Sequence, residues 1–139
     1  MYLIDTNIIC EIRKGAQANL GVKQFFAQVI QDHQPLYMSA VCIGELRRSV
    51  DLLYQRGETA DAVVFENWLH ELCKDYQDYI LDIDGEVAML CGNLSIPNSE
   101  QTLDMSIAAT ALIYDLTLVT GTPEDYLNTG ARLLNPFIA

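Results

Sequence analysis

Five short apolar runs, separated by stretches of helical periodicity, restrict this chain more than any other feature. Tyr2-Leu3-Ile4, Leu36-Tyr37-Met38, Tyr79-Ile80-Leu81 and Leu116 to Thr120 each read as a buried strand, and Arg132 to Leu134 as a short fifth. Between them apolar residues recur every three or four positions. Ile8 to Lys14 reads as a short helix stopped by Gly15, and Asn19 to about Asp32 as a longer one. Ser39 caps a helix that runs to Gly57, striped by Ile43, Leu46, Val50, Leu53 and Tyr54. Thr59 opens another, with Phe65, Trp68, Leu69, Leu72 and Tyr76 on one face, and the turn at Gly57-Glu58 makes the two an antiparallel hairpin. Asp84 caps a helix over Gly85 to Asn93. Ser95 to Gln101 is a polar loop broken by Pro97, and Thr102 to Tyr114 is a helix rich in small residues. Strands alternating with helices in this way predict an α/β fold with a mostly parallel, about five-stranded sheet. With 139 residues, one domain over 1–139 is expected.

In such sheets ligands gather beyond the carboxyl ends of the strands, where strand order reverses. The chemistry available there is carboxylate chemistry. Cys10, Cys42, Cys73 and Cys91 form no C-x-x-C pair, and His33 and His70 have no partner at a metal-ligand spacing and read as solvated helix residues. The cysteines read as reduced, mostly buried thiols of a cytoplasmic protein. No run of 18 apolar residues suggests a membrane span, and Asp5 interrupts the start of the chain, which also lacks the basic residues of a signal peptide.

Four acids fall at strand ends or in the first turns of neighbouring helices: Asp5, Glu45, Asp104 and Asp125. Each has an ordinary alternative. Asp5 can cap a helix, Glu45 can pair with Arg48, Asp104 can offset a helix dipole, and Asp125 can complete a capping box begun by Thr122 and Pro123. Gathered at one edge, they would repel unless a hard cation neutralised them. Mg²⁺ is typically held by one or two carboxylates with waters and substrate phosphates. It lowers the pKa of a bound water and offsets charge on a scissile phosphate. The net charge of −11, from nineteen acids against eight bases, excludes nucleic-acid binding by diffuse attraction. Any grip on phosphate would have to be local, and Arg13, Lys14, Arg47 and Arg48 lie close in sequence to two of the acids. Ordinary surface ion pairs are the alternative for these four.

Leu3-Ile4-Asp5-Thr6-Asn7-Ile8, Ile43-Gly44-Glu45-Leu46-Arg47, Asp104-Met105-Ser106-Ile107-Ala108-Ala109-Thr110-Ala111, Leu118-Val119-Thr120 and the closing Leu134-Asn135-Pro136-Phe137 resemble the PIN-domain ribonucleases. More closely, they look like the VapC-type toxins of bacterial toxin–antitoxin pairs. The resemblance implies a three-layer α/β/α sandwich that cleaves RNA with Mg²⁺ or Mn²⁺, with Asp5, Glu45 and Asp104 as core acids. It also implies a cognate antitoxin and a homodimer. After its Leu-Val-Thr strand the family shows a polar or basic residue, then Asn or Asp, then an acid before Phe. Here Gly121 and Thr122 stand in that segment, with Asp125 before Tyr126. Asp125 then becomes the fourth acid, and Thr122 loses a possible ligand. Thr6 and Asn7 would support the acids through hydrogen bonds.

A toxin this acidic should favour an antitoxin segment that is basic and partly apolar, lying across the helices near residues 41–76. Two other readings remain: a catalytically weak PIN-like binding module, and a PIN nuclease of RNA processing without an antitoxin. Asp82-Ile83-Asp84-Gly85 resembles the strand end of haloacid-dehalogenase phosphotransferases, but residues 86–139 are too few to build that core.

Overall fold

The computed structural model describes residues 1–98 and 100–139. The expected polar loop over 95–101 therefore lies within the described residues except for position 99. Five strands form one parallel sheet: β1 (Tyr2–Ile4), β2 (Leu36–Ser39), β3 (Ile80–Leu81), β4 (Thr117–Val119) and β5 (Leu133–Leu134). Their order is β3-β2-β1-β4-β5. In register, Tyr2 lies beside Leu36 on one side and Thr117 on the other, and Ile4 beside Val119. The helices are α1 (Thr6–Ile12), α2 (Leu20–Gln31), α3 (Ala40–Gln55), α4 (Thr59–Asp75), α5 (Gly85–Leu94) and α6 (Thr102–Ile113).

The chain steps from β1 through β2 to β3, then crosses back to β4 on the far side of β1. Right-handed crossovers place the helices of the outward steps, α1–α4, on one face and α5 with α6 on the other. Three layers result, as the resemblance implies. Leu3, Ile4, Met38, Leu118 and Val119 fill the middle layer, with Leu46 and Val50 of α3 and Ile107 and Ala108 of α6 packed against them. In α6 every residue from Met105 to Ala111 is buried, so this helix is apolar all round rather than striped. Small side chains at Ser106, Ala108, Ala109 and Ala111 let it lie between neighbours.

Two local departures follow from hydrogen bonding. Helix α1 begins at Thr6, not Ile8, because the Asp5 side chain accepts from the Thr6 N–H and starts the helix early. His33 lies past α2 in a left-handed conformation, φ 52°, not in the helix. At the other end of the chain the ring of Phe137 covers Gly121, where a Cβ would come within 2.7 Å of it. The closing segment is therefore packed on the loop that follows β4.

Candidate active site

Strand order reverses at β1, which leads to β2 on one side while β4 leads to β5 on the other. A crevice opens beyond the carboxyl ends of two such strands, and the chain places its acids there. Asp5 follows β1 directly, and its N–H donates to Val119 O at 2.9 Å, extending the pairing with β4 by one residue. The residue is 5% exposed. Three donors hold it. Thr6 N–H reaches Oδ1 at 2.8 Å, while the hydroxyls of Thr120 and Tyr126 both reach Oδ2 at 2.9 Å. Asp5 thus caps α1 and faces the crevice at once, so the two sequence readings of this residue are compatible.

Glu45 sits in the second turn of α3 and accepts from Thr6 Oγ1 at 2.9 Å. No Glu45–Arg48 ion pair occurs among the described residues. Asp104 lies in the first turn of α6, where its Oδ1 is 3.4 Å from the Tyr126 hydroxyl. Asn7 fastens the loop after β4: Gly121 N–H donates to its Oδ1 at 3.0 Å, and its amide donates to the hydroxyls of Thr120 and Thr122 at 3.4 and 3.3 Å. Thr122 makes no side-chain cap to the turn Pro123–Tyr126. The capping box expected as the alternative for Asp125 is therefore not formed.

Asp5, Glu45, Asp104 and Asp125 together line one cleft of ≈ 500 Å³, with Thr6, Asn7 and Thr122 between them and Glu11 and Lys14 at its side. The crowding has an electrostatic signature. Burial, and then the charges of Asp5, Asp125 and Glu45, push the Asp104 carboxyl up from 3.8 to about 6, against a smaller opposing effect of the Tyr126 hydroxyl. Burial, assisted by Asp5, also raises Glu45, while the Thr6 hydroxyl bond pulls it back. Burial and the neighbouring Asp5 and Asp104 raise the Tyr126 phenol far above its ordinary value, so it stays a hydrogen-bond donor.

The four basic candidates are dispersed. Lys14 lines the cleft and pairs with Glu11 at 2.9 Å. Arg13 lies 4.0 Å over the ring of Phe65 and 5.7 Å from that of Trp68, joining α1 to α4 by cation–π contact. Arg47 is engaged elsewhere, with Asp51 and Glu66 both at 2.7 Å, and so braces the α3–α4 hairpin. Arg48 is exposed on α3. Sequence reasoning missed Thr120 and Tyr126, both in the grip on Asp5. A hydroxyl on the ring that follows Asp125 was the available signal.

No three His, Cys, Asp or Glu side chains among the described residues form a ready-made metal cage. The donor set suits a different occupant. Carboxylates that meet at one phenol, flanked by hydroxyls and an amide, match a hydrated hard cation that keeps several waters.

A family model described as the PIN domain matches residues 2–122. No curated protein matches the chain. Among solved structures, FitAcB from Neisseria gonorrhoeae is 27% identical with a TM-score of 0.83, covering 98% of this chain and 98% of that one. A toxin–antitoxin complex from Klebsiella pneumoniae is 20% identical with a TM-score of 0.64, covering 100% of each chain. VapBC-1 from nontypeable Haemophilus influenzae shares the fold at 18% identity and a TM-score of 0.69, covering 96% of each chain. The match over residues 2–122, with the reversal of strand order at β1 and the acids gathered there, makes this chain a member of the PIN-domain family.

Proposed function

We propose that the cleft is the active site of an Mg²⁺- or Mn²⁺-dependent endoribonuclease, the toxin of a toxin–antitoxin pair. The observation that carries this reading is the convergence of four acids from four separate segments with, among the described residues lining the cleft, no cationic side chain beyond Lys14 at the side. Burial first, and then the neighbouring acids, raise the carboxyl of Asp104, and a bound cation would offset both. Asp5 and Asp104 would hold the cation, with Glu45 and Asp125 in the same cleft. When bound, the cation lowers the pKa of a water and offsets charge on the scissile phosphodiester. The chain's own residues prepare that site. Thr6, Thr120 and Tyr126 fix Asp5, Thr6 fixes Glu45, and Asn7 fixes the loop that carries Thr122. Lys14, which lines the cleft, and the ring-held Arg13 beside it in sequence would guide RNA phosphates. Hydrolysis would leave 5′-phosphate and 3′-hydroxyl ends.

The toxin reading is supported by the structural likeness to FitAcB and to VapBC-1. An antitoxin segment that is basic and partly apolar fits the acid cleft on one side and the exposed Val63 and Val64 of α4 on the other. A homodimer would use the exposed apolar residues Met89, Ile96 and Leu103 around the α5–α6 hairpin. No helix of the described residues is long and apolar enough to cross a membrane, and a cytoplasmic site of action is part of the proposal.

The test is RNA cleavage by purified, antitoxin-free protein. Cleavage in Mg²⁺ or Mn²⁺ that stops with EDTA is expected. RNA binding without cleavage would favour the binding-module reading, and cleavage undiminished by EDTA would remove the cation. Asp125 gets its own test. Asp125→Asn should weaken cleavage at low Mn²⁺ and recover in part at high Mn²⁺, with little change in melting temperature. A lower melting temperature with an unshifted Mn²⁺ curve would make Asp125 a structural turn residue.

A further inference from the structure

Tyr126 follows Asp125 in the short turn after β4 and is 1% exposed. Its ring belongs to the main apolar core, and packing alone would be served by a ring without oxygen. Burying a phenol hydroxyl is unfavourable unless it is paired. Here the atoms within reach are two carboxylates of the cleft: Asp5 Oδ2 at 2.9 Å and Asp104 Oδ1 at 3.4 Å. A phenol carries one proton, and with an acceptor on each side it is shared as a three-centre bond, the shorter contact taking the larger part. Asp104 Oδ1 therefore receives the longer, weaker branch of the bond that anchors Asp5.

The two acids are held very unequally. Asp5 has three donors, one on the backbone and two hydroxyls. Asp104 has the Tyr126 hydroxyl and no other side-chain hydrogen bond among the described residues. Like charges repel, and a carboxylate on a free side-chain torsion moves away from its neighbour. The hydroxyl between them opposes that movement.

We propose that Tyr126 is a positioning residue of the acidic centre, whose hydroxyl holds the Asp5 and Asp104 carboxylates together and so tightens binding of a divalent cation. The inference rests on the metal-dependent reading of the cleft. Folding sets the two acids in place before the cation arrives, so less ordering is left to the binding step. Groups that orient a metal's ligands from behind are worth about 10–100-fold in affinity.

The experiment is calorimetric titration of the antitoxin-free protein with Mn²⁺ alone, for wild type, Tyr126→Phe and Thr120→Val. Circular dichroism confirms that each is folded. Tyr126→Phe keeps the ring, and its Kd should rise about tenfold. The Mn²⁺-induced rise in melting temperature should shrink with it. Thr120→Val removes the other hydroxyl on Asp5 Oδ2 without touching Asp104, so its effect should be clearly smaller. In the metal-free protein the side-chain carboxyl ¹³C signals of both Asp5 and Asp104 should move in Tyr126→Phe. Movement of the Asp5 signal alone, or equal losses in the two variants, overturns the bridging role. Equal Kd in wild type and folded Tyr126→Phe overturns the proposal while the metal-dependent reading stands. Absence of Mn²⁺ binding by the wild type overturns that reading, and this proposal falls with it.

Discussion

Asp104→Asn is expected to abolish RNA cleavage, by more than about 100-fold, and at the same time to make the metal-free protein more stable at pH 8. Loss of activity follows because a hard cation needs the carboxylate charge, which the amide lacks. Gain of stability follows from the carboxyl's burial and, after that, from its position among like charges. Its pKa in the folded chain, about 6, lies above the ordinary 3.8. The folded state therefore holds this proton more tightly than the unfolded state does. Between about pH 4 and pH 6 the wild type should lose stability as pH rises, and above that window the full penalty applies. The variant carries no charge here and should show no such decline from this position. Asp104 is partly open to solvent, so screening reduces the effect to roughly 1 kcal/mol. For a domain of this size that is a melting-temperature gain of about 2–4 °C at pH 8 in EDTA. Paired melts at pH 5 and pH 8, with a cleavage assay in Mg²⁺, check both halves. A variant that cleaves RNA at the wild-type rate removes Asp104 from the site. A variant that melts lower than wild type at pH 8 removes the crowding.

The strands and helices of the fold were legible because they depend on periodicity. Tyr2-Leu3-Ile4 and Leu118-Val119 are apolar runs too short for helices, and Ile43, Leu46 and Val50 recur at helical spacing, so strands and helices separate on pattern alone. The order β3-β2-β1-β4-β5 carries no such mark. It is set by which strand edges remain free when the chain crosses back after β3. The acids were legible as positions at the ends of elements, and Asp5, Glu45, Asp104 and Asp125 do line one cleft. What sequence could not supply is the side-chain partnership across it. Thr120 reads as the last residue of a strand and Tyr126 only as the residue after Asp125, yet their hydroxyls meet on one oxygen of Asp5. Arg47, adjacent in sequence to Glu45's neighbour Leu46, reads as a phosphate ligand. On a helix two residues differ by about 200°, and it pairs with Asp51 and Glu66 instead.

Asp5→Asn should also abolish cleavage, but its stability should move in the opposite direction to that of Asp104→Asn. The difference lies in what surrounds each acid. Asp5 is 5% exposed and receives a backbone N–H on one oxygen and two hydroxyls on the other. An amide has a single acceptor oxygen. If that oxygen stays with Thr6 N–H, the NH₂ group confronts two hydroxyls that now donate to it. If the amide is flipped, the NH₂ confronts the Thr6 N–H and the cap of α1 is lost. A hydroxyl can rotate to accept, but the acceptors then left for the two protons, Asp104 Oδ1 at 3.4 Å from Tyr126 and Thr122 Oγ1 at 3.3 Å from Thr120, lie farther off than the 2.9 Å bonds that are lost. A buried group left unpaired costs about 1–3 kcal/mol. That exceeds the relief of repulsion from removing one charge at a cleft that Asp104, Glu45 and Asp125 still occupy. The metal-free Asp5→Asn protein should therefore melt several degrees below wild type, and Asp5→Ala lower still, because it strands all three donors and leaves a void. Melts of Asp5→Asn and Asp104→Asn in the same EDTA buffer at pH 8 decide the matter. Opposite signs mean that one acid is anchored by the fold and the other is held against it. A rise in both would show that repulsion outweighs the three hydrogen bonds of Asp5.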